Sequence, residues 1–277
     1  MAYPSGLCAV VTGSGSGLGR AFCLELARRN ARLVCSDIDE AAANETAALV
    51  REMGREATVV VCDVSNSEDV SALAERSVHV LRGVDMVVNN AGVAVSGPFE
   101  AVSLEDWRWG VDINLWGVIH GCRAFAPAMK ERGRGWILNV ASAAGFASLP
   151  EMAPYNVSKA GVIALSETLY GELAPHGVGV TVLCPTFFSS RIAGAMRGTE
   201  QDLRQRKRLI EQAMKRAKLK AADVARVALD RAEAGELYAL PMRDGRLLWR
   251  LKRAAPARFH ALVAKQQKLL RRLLRLR

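Results

Sequence analysis

The stretch LCAVVTGSGSGLG, residues 7–19, decides the fold. Its first half is a short, mostly apolar run ending in Thr12, and its second half alternates glycine with small residues before an apolar helix-period segment begins at Leu18. A strand, a sharp turn and a helix N-terminus are therefore expected in succession. Such a turn lets backbone amides approach a phosphate where the helix dipole favours negative charge. The spacing is T-G-x-x-x-G-x-G, which matches neither G-x-G-x-x-G, since Leu18 stands where the third glycine belongs, nor a Walker A loop. A glycine-rich turn without a ligand is the alternative reading of these residues alone.

Outward from this stretch, similar short runs recur. Leu7–Thr12, Arg32–Asp37, Ala57–Cys62, Asp85–Asn89, Gly135–Val140, Val178–Leu183 and Glu236–Leu240 read as seven strands with helix-period segments between them. Most are apolar throughout, as expected for a parallel sheet covered on both faces. The expected fold class is α/β, a doubly wound, seven-stranded parallel Rossmann-like sheet. Residues 1–241 form one domain in this reading, and 242–277 form a basic helical extension. Leu18–Arg29 and Asp39–Met53 read as helices, and Leu104–Arg132 and Ala153–Leu173 are the two longest helical patterns, apolar on more than one face.

Half of the 277 residues are hydrophobic and 24% are charged, which excludes intrinsic disorder. The net charge of +10 is unevenly spread: residues 1–200 hold 16 Lys and Arg against 21 acids, and residues 201–277 hold 22 against 7. The six cysteines form no C-x-x-C pair and have no His at metal-ligand spacing, so neither a metal site nor a disulfide framework is expected. Together with the absence of a leader pattern at the N-terminus, they point to a reducing, cytoplasmic setting.

Two further sites stand out. Asp37 ends the second strand eighteen residues past Gly19, where a carboxylate can accept from an adenosine ribose and repel a 2′-phosphate. That favours NAD over NADP, although Asp37 could instead serve a turn. Asp63 ends the third strand in the same way. Tyr155 and Lys159 are four apart on an expected helix and share a face. A phenol has an ordinary pKa of about 10, and a neighbouring ammonium favours its ionised form, which suits a general acid/base. Ser142, at the end of the fifth strand, can hold a reacting oxygen. A surface Tyr/Lys pair and small-residue packing are the plain alternatives.

Taken in order, Thr12 to Gly19, Asp63, Asn89-Asn90-Ala91-Gly92, Asn114, Ser142, Tyr155 and Lys159 resemble the short-chain dehydrogenases/reductases over Leu7 to about Leu240. The resemblance implies hydride exchange between a nicotinamide cofactor and an alcohol or carbonyl. It implies catalytic roles for Asn114, Ser142, Tyr155 and Lys159, with Asn114 bending a helix and holding a water that passes protons to Lys159. Cofactor contacts are implied at Gly13, Ser16, Gly17, Leu18 and Gly19, at Asp37, Asp63 and Val64, and at Asn90, Ala91 and Gly92. Tyr155, Lys159, Pro185, Phe188 and Ser190 complete that set. A homodimer or homotetramer is also implied.

The chain departs from the family at two places. Thr186 replaces the glycine expected after Pro185, and two phenylalanines follow it. If Phe187 and Phe188 line the site, the substrate is a bulky hydrophobic alcohol or ketone such as a steroid, retinoid or long-chain alcohol. A substrate loop is expected around residues 186–215, with a charged lid helix over Glu200–Lys220. The second departure is the tail: residues 241–277 hold 12 Lys and Arg against one acid, with apolar residues at helical spacing. Peripheral membrane contact and packing against the same or another subunit remain open for this segment, and no nucleic-acid motif accompanies it. The rival function is a non-catalytic dinucleotide sensor or membrane-recruited scaffold.

Overall fold

The computed structural model describes residues 2–188, 194, 196–198, 212, 214 and 217–275, the last ten as helix backbone alone. Strand β1 (Cys8–Thr12) leads into helix α1 (Gly17–Arg28), then β2 (Arg32–Asp37), α2 (Glu40–Glu52), β3 (Ala57–Val61), α3 (Ser67–Leu81) and β4 (Met86–Asn89). After a two-residue strand, β5 (Val95–Ser96), come α4 (Leu104–Val111), α5 (Gly117–Glu131), β6 (Gly135–Val140), the single turn α6 (Ala144–Ala147) and α7 (Ala153–Leu173). The chain continues through β7 (Val178–Leu183), β8 (Arg197–Gly198), α8 (Ala221–Glu233), β9 (Tyr238–Ala239), α9 (Arg243–Ala254) and α10 (Pro256–Arg275).

Seven strands pair in the order β3-β2-β1-β4-β6-β7-β9, all parallel. The expected sheet is therefore present, with trimmed ends: Glu236, Leu237 and Leu240 fall outside the last strand, which pairs only at Tyr238 and Ala239. Each face carries its own core. One packs Phe22, Leu26, Val50 and Leu229 from α1, α2 and α8. The other packs Leu73, Phe125, Met129 and Val162 from α3, α5 and α7. The strands are buried on both faces, which explains their near-continuous apolar character. The sequence order reverses between β1 and β4, and at such a switch point the loops leaving neighbouring strands diverge to form a crevice.

One expected element is corrected. The helical pattern Leu104–Arg132 is not a single helix: a π-helical turn over Asp112–Trp116 separates α4 from α5. The cause lies at Asn114, whose buried side chain exchanges two hydrogen bonds with the backbone of Val93, at 2.8 and 2.9 Å. Turning that amide toward the strand-end segment needs the extra residue of a π-bulge, a feature frequent at functional sites.

Candidate active site

The glycine turn is held by two side chains. The Thr12 hydroxyl accepts from the amides of Asn90 and Ala91 at 3.0 and 3.2 Å. The Asn90 carboxamide donates to the carbonyls of Thr12 and Gly13 at 2.9 and 3.1 Å. This brings backbone so close that a Cβ on Gly13 would lie 2.8 Å from Ala91 Cα, and one on Gly19 only 1.9 Å from the Gly13 oxygen. Gly13 also has φ +64°, where a side chain is strained. Thr12 was not among the sequence candidates as a contact in its own right. A hydroxyl at the end of a strand, just before glycine, is the signal that marks it.

At the entry to α1, Ser16 makes no side-chain cap and the first turn carries no acid, so the helix amides remain available to an anion. The residues present thus fit a dinucleotide pyrophosphate. Gly13, Ser16, Gly17 and Leu18 line a cavity of about 470 Å³ that continues past Asp37, Asp63 and Val64 to Asn90, Ala91 and Gly92. It reaches Ser142, Tyr155, Lys159, Pro185 and Phe188 at its far end. Gly19 and Asn114 support this cavity from behind and do not line it, and Ser190 lies outside the described residues. Most of the expected lid, Glu200–Lys220, lies outside them too.

Asp37 serves a turn and also borders the cavity. Its carboxylate accepts from the amides of Gly15 and Asp39 at 2.8 and 3.0 Å. Asp39 is the N-cap of α2, accepting from Ala42 at 3.0 Å. The cations closest in sequence are engaged elsewhere: Arg20 binds Glu45, the Gly15 carbonyl and Thr46, and Arg32 binds Glu56. Lys159 is the one cation lining the cavity among the described residues. Asp63 accepts from both the amide and the hydroxyl of Ser65.

At the catalytic end, α7 begins with Pro154 in its first turn, a position where the missing amide costs nothing. Tyr155 and Lys159 then project from one face, and the Lys159 ammonium lies 5.9 Å from the Tyr155 ring centre. Lys159 is buried and donates to the Val140 carbonyl at 2.8 Å. Burial lowers its pKa from 10.5 to about 8, with Cys184 opposing weakly. Burial also pushes the Tyr155 phenol above its ordinary value, against the Ser142 hydroxyl, which favours the ionised form. Ser142 further accepts from the Ala144 amide at 3.2 Å, at the entry to α6. Asn114 stands behind this group, donating to Ser158 at 3.3 Å, and a Cβ on Gly92 would lie 2.9 Å from its oxygen and 3.5 Å from Lys159 Nζ.

The two phenylalanines divide. Both line the cavity, but Phe187 is exposed to solvent, whereas Phe188 also packs on the core. Sequence reasoning missed the apolar lining residues Ile113, Leu149, Met152 and Leu248, whereas Met196 and Met214, which also line the cavity, fall within the substrate loop expected at 186–215. It also missed Asp244, which lies there because α9 folds back over the site. Periodicity identifies such a helix and says nothing of the surface it covers.

The family model for short chain dehydrogenase matches residues 7–201. The chain belongs to the short-chain dehydrogenases. A short-chain dehydrogenase/reductase from Burkholderia phymatum, solved in complex with NAD, superposes with a TM-score of 0.87 at 36% identity over 92% of this chain and 95% of that one. The 3-ketoacyl-(acyl-carrier-protein) reductase of Brucella melitensis, solved with NADH, gives 0.74 at 29% identity, over 85% and 95% of the two chains. Among curated relatives, the probable oxidoreductase EphD of Mycobacterium tuberculosis is 45% identical over 184 residues, 66% of this chain. The match covers only 31% of that longer protein. The 3beta-hydroxysteroid dehydrogenase 1 of Eggerthella lenta is 38% identical over 65% of this chain and 70% of its own length. Both solved neighbours carry a nicotinamide dinucleotide.

Proposed function

We propose that the protein is an NAD-preferring secondary-alcohol dehydrogenase/ketone reductase for bulky, uncharged, hydrophobic substrates. The observation that carries this reading is the convergence of Ser142, Tyr155 and Lys159 on the same cavity that the glycine turn lines. A bound nicotinamide supplies the hydride acceptor or donor. As phenolate, Tyr155 Oη would take the alcohol proton as the carbonyl forms, and the resulting phenol would return it in the reductive direction. Ser142 Oγ hydrogen-bonds the reacting oxygen and fixes its distance from Tyr155. The Ser142 hydroxyl opposes the desolvation of the phenol, and a charged Lys159 beside it would favour phenolate. Asn114 holds the π-turn and Val93 in place behind Lys159, a positioning role.

The preference for NAD is supported by Asp37 and by the pairing of Arg20 with Glu45 and of Arg32 with Glu56. The apolar lining supports a hydrophobic substrate, and the Eggerthella relative's name points to the same class. Exposed Trp116, Val157 and Tyr170 on the π-turn and α7 support the homo-oligomer expected of the family. Leu247, Leu251 and Leu262 are exposed beside the cations of α9 and α10, which supports peripheral contact with an anionic membrane. The six thiols are free and fit a reducing, cytoplasmic setting. No helix among the described residues is long and apolar enough to cross a membrane. Turnover of a panel of secondary alcohols with NAD tests the reading: oxidation of the larger, apolar members is expected, and no oxidation of any member refutes it.

A further inference from the structure

We infer that α9 is a fixed wall of the substrate compartment and that Leu248 is a specificity-determining residue selecting bulky over small uncharged ketones and alcohols. The inference deepens the proposed function and rests on it for the chemistry, but the geometry stands separately. Helix α9 is fastened to the site from several sides. The Thr186 hydroxyl donates to Asp244 Oδ1 at 3.1 Å, and the same oxygen accepts from the Gly245 amide at 2.9 Å. A Cβ on Gly245 would meet Thr186 Cγ2 at 3.1 Å, so glycine permits the close approach of helix and loop. The Arg246 guanidinium donates to the carbonyls of Leu240 and Pro241 at 2.9 and 3.0 Å, anchoring the helix to the end of β9. Trp249 meets the Tyr238 ring edge-on at 5.4 Å.

Thr186 therefore has a definite role in this chain: its hydroxyl is the latch for α9. Leu248 lies one helical turn beyond Asp244, on the same face, and both line the cavity. Leu248 there faces an apolar set with Leu149, Met152 and Phe187. The Asp244 carboxylate at this wall disfavours an anionic substrate, and the apolar surface around it rewards an uncharged hydrocarbon frame.

The test uses full-length protein loaded with NADH, with 2-decalone as the bulky apolar probe and acetone as the small one. Equilibrium binding and kcat/KM are both measured. Leu248→Trp should weaken decalone binding and lower its kcat/KM by about tenfold or more while acetone and NADH change by less than about twofold. Leu248→Ala, which adds no volume, should weaken decalone by about threefold and spare acetone, and guards against a misfolded Trp variant. Equal effects on both ketones, or no decalone binding by the wild type, overturn the inference. Decalone that binds with this pattern but is not reduced leaves the wall intact and overturns the proposed function instead.

Discussion

Lys159 of α7 donates a hydrogen bond to the carbonyl oxygen of Val140, the last residue of β6, at 2.8 Å. That contact fastens the helix bearing Tyr155 to the strand that leads directly to Ser142, so one buried ammonium sets the distance between two groups that must act on the same oxygen. The ammonium is kept there at a cost, because burial drives its pKa down to about 8.

The cost gives a pH signature. Below pH 8 both folded and unfolded chains hold the Lys159 proton and the desolvation penalty is complete. Between about 8 and 10.5 the folded protein loses the proton first, so this residue's penalty fades as pH rises. Buried thiols such as Cys122 and Cys184, pushed up to about 12, work in the opposite direction; the Cys122 contribution is common to wild type and variant, whereas Cys184, which the Lys159 charge holds down, shifts further up in the variant. Urea unfolding of apo wild type and Lys159→Met should show the variant's relative stability falling across that window by on the order of 3 kcal/mol. A difference independent of pH would show that the ammonium is not desolvated.

Cofactor choice follows from Asp37. Wild type should bind NADH at least about tenfold more tightly than NADPH, and Asp37→Ser should narrow that ratio by about tenfold. The same variant frees the Gly15 and Asp39 amides, so some loss of NADH affinity accompanies the change. Calorimetric titration with both nucleotides measures it, and an unchanged ratio would remove Asp37 from cofactor selection.

Glycine substitutions separate loop geometry from helix propensity. Gly19→Ala places a methyl 1.9 Å from the Gly13 oxygen and should raise the NADH Kd by about tenfold or more while lowering Tm. Gly171→Ala, in α7 with nothing within 4 Å of the new Cβ, should stabilise the protein by about 0.5–1 kcal/mol and leave NADH affinity unchanged. Thermal unfolding and NADH titration of the two variants provide the comparison.

The exposed leucines of α9 carry the membrane reading. Leu247→Glu combined with Leu251→Glu should reduce co-sedimentation with phosphatidylserine-containing vesicles by about fivefold or more, with little change on neutral vesicles. Equal partitioning of wild type and variant would remove this face from lipid contact.

Much of the fold was legible because its signals are local. The strand, glycine turn and helix of residues 7–19 specify one supersecondary unit, and Tyr155 with Lys159 needs only helical spacing to converge. The π-turn was not legible from periodicity: it arises from the long-range bond between Asn114 and Val93, so a local pattern shows only a continuous helix. The paired strands β5 and β8 hold two residues each, too few to show alternation. Packing of the tail on its own subunit was among the open readings, but the surface that α9 covers was not legible, because the partners of Thr186 and Gly245 are separated from them by some sixty residues and share no period with them.

Tyr155→Phe is the most direct measurement. The variant removes one oxygen from a buried ring, so the fold and NADH affinity should stay within about twofold of wild type while kcat for secondary alcohols falls by about a thousandfold or more. Turnover retained within about tenfold of wild type would contradict proton transfer by this phenol and with it the proposed chemistry.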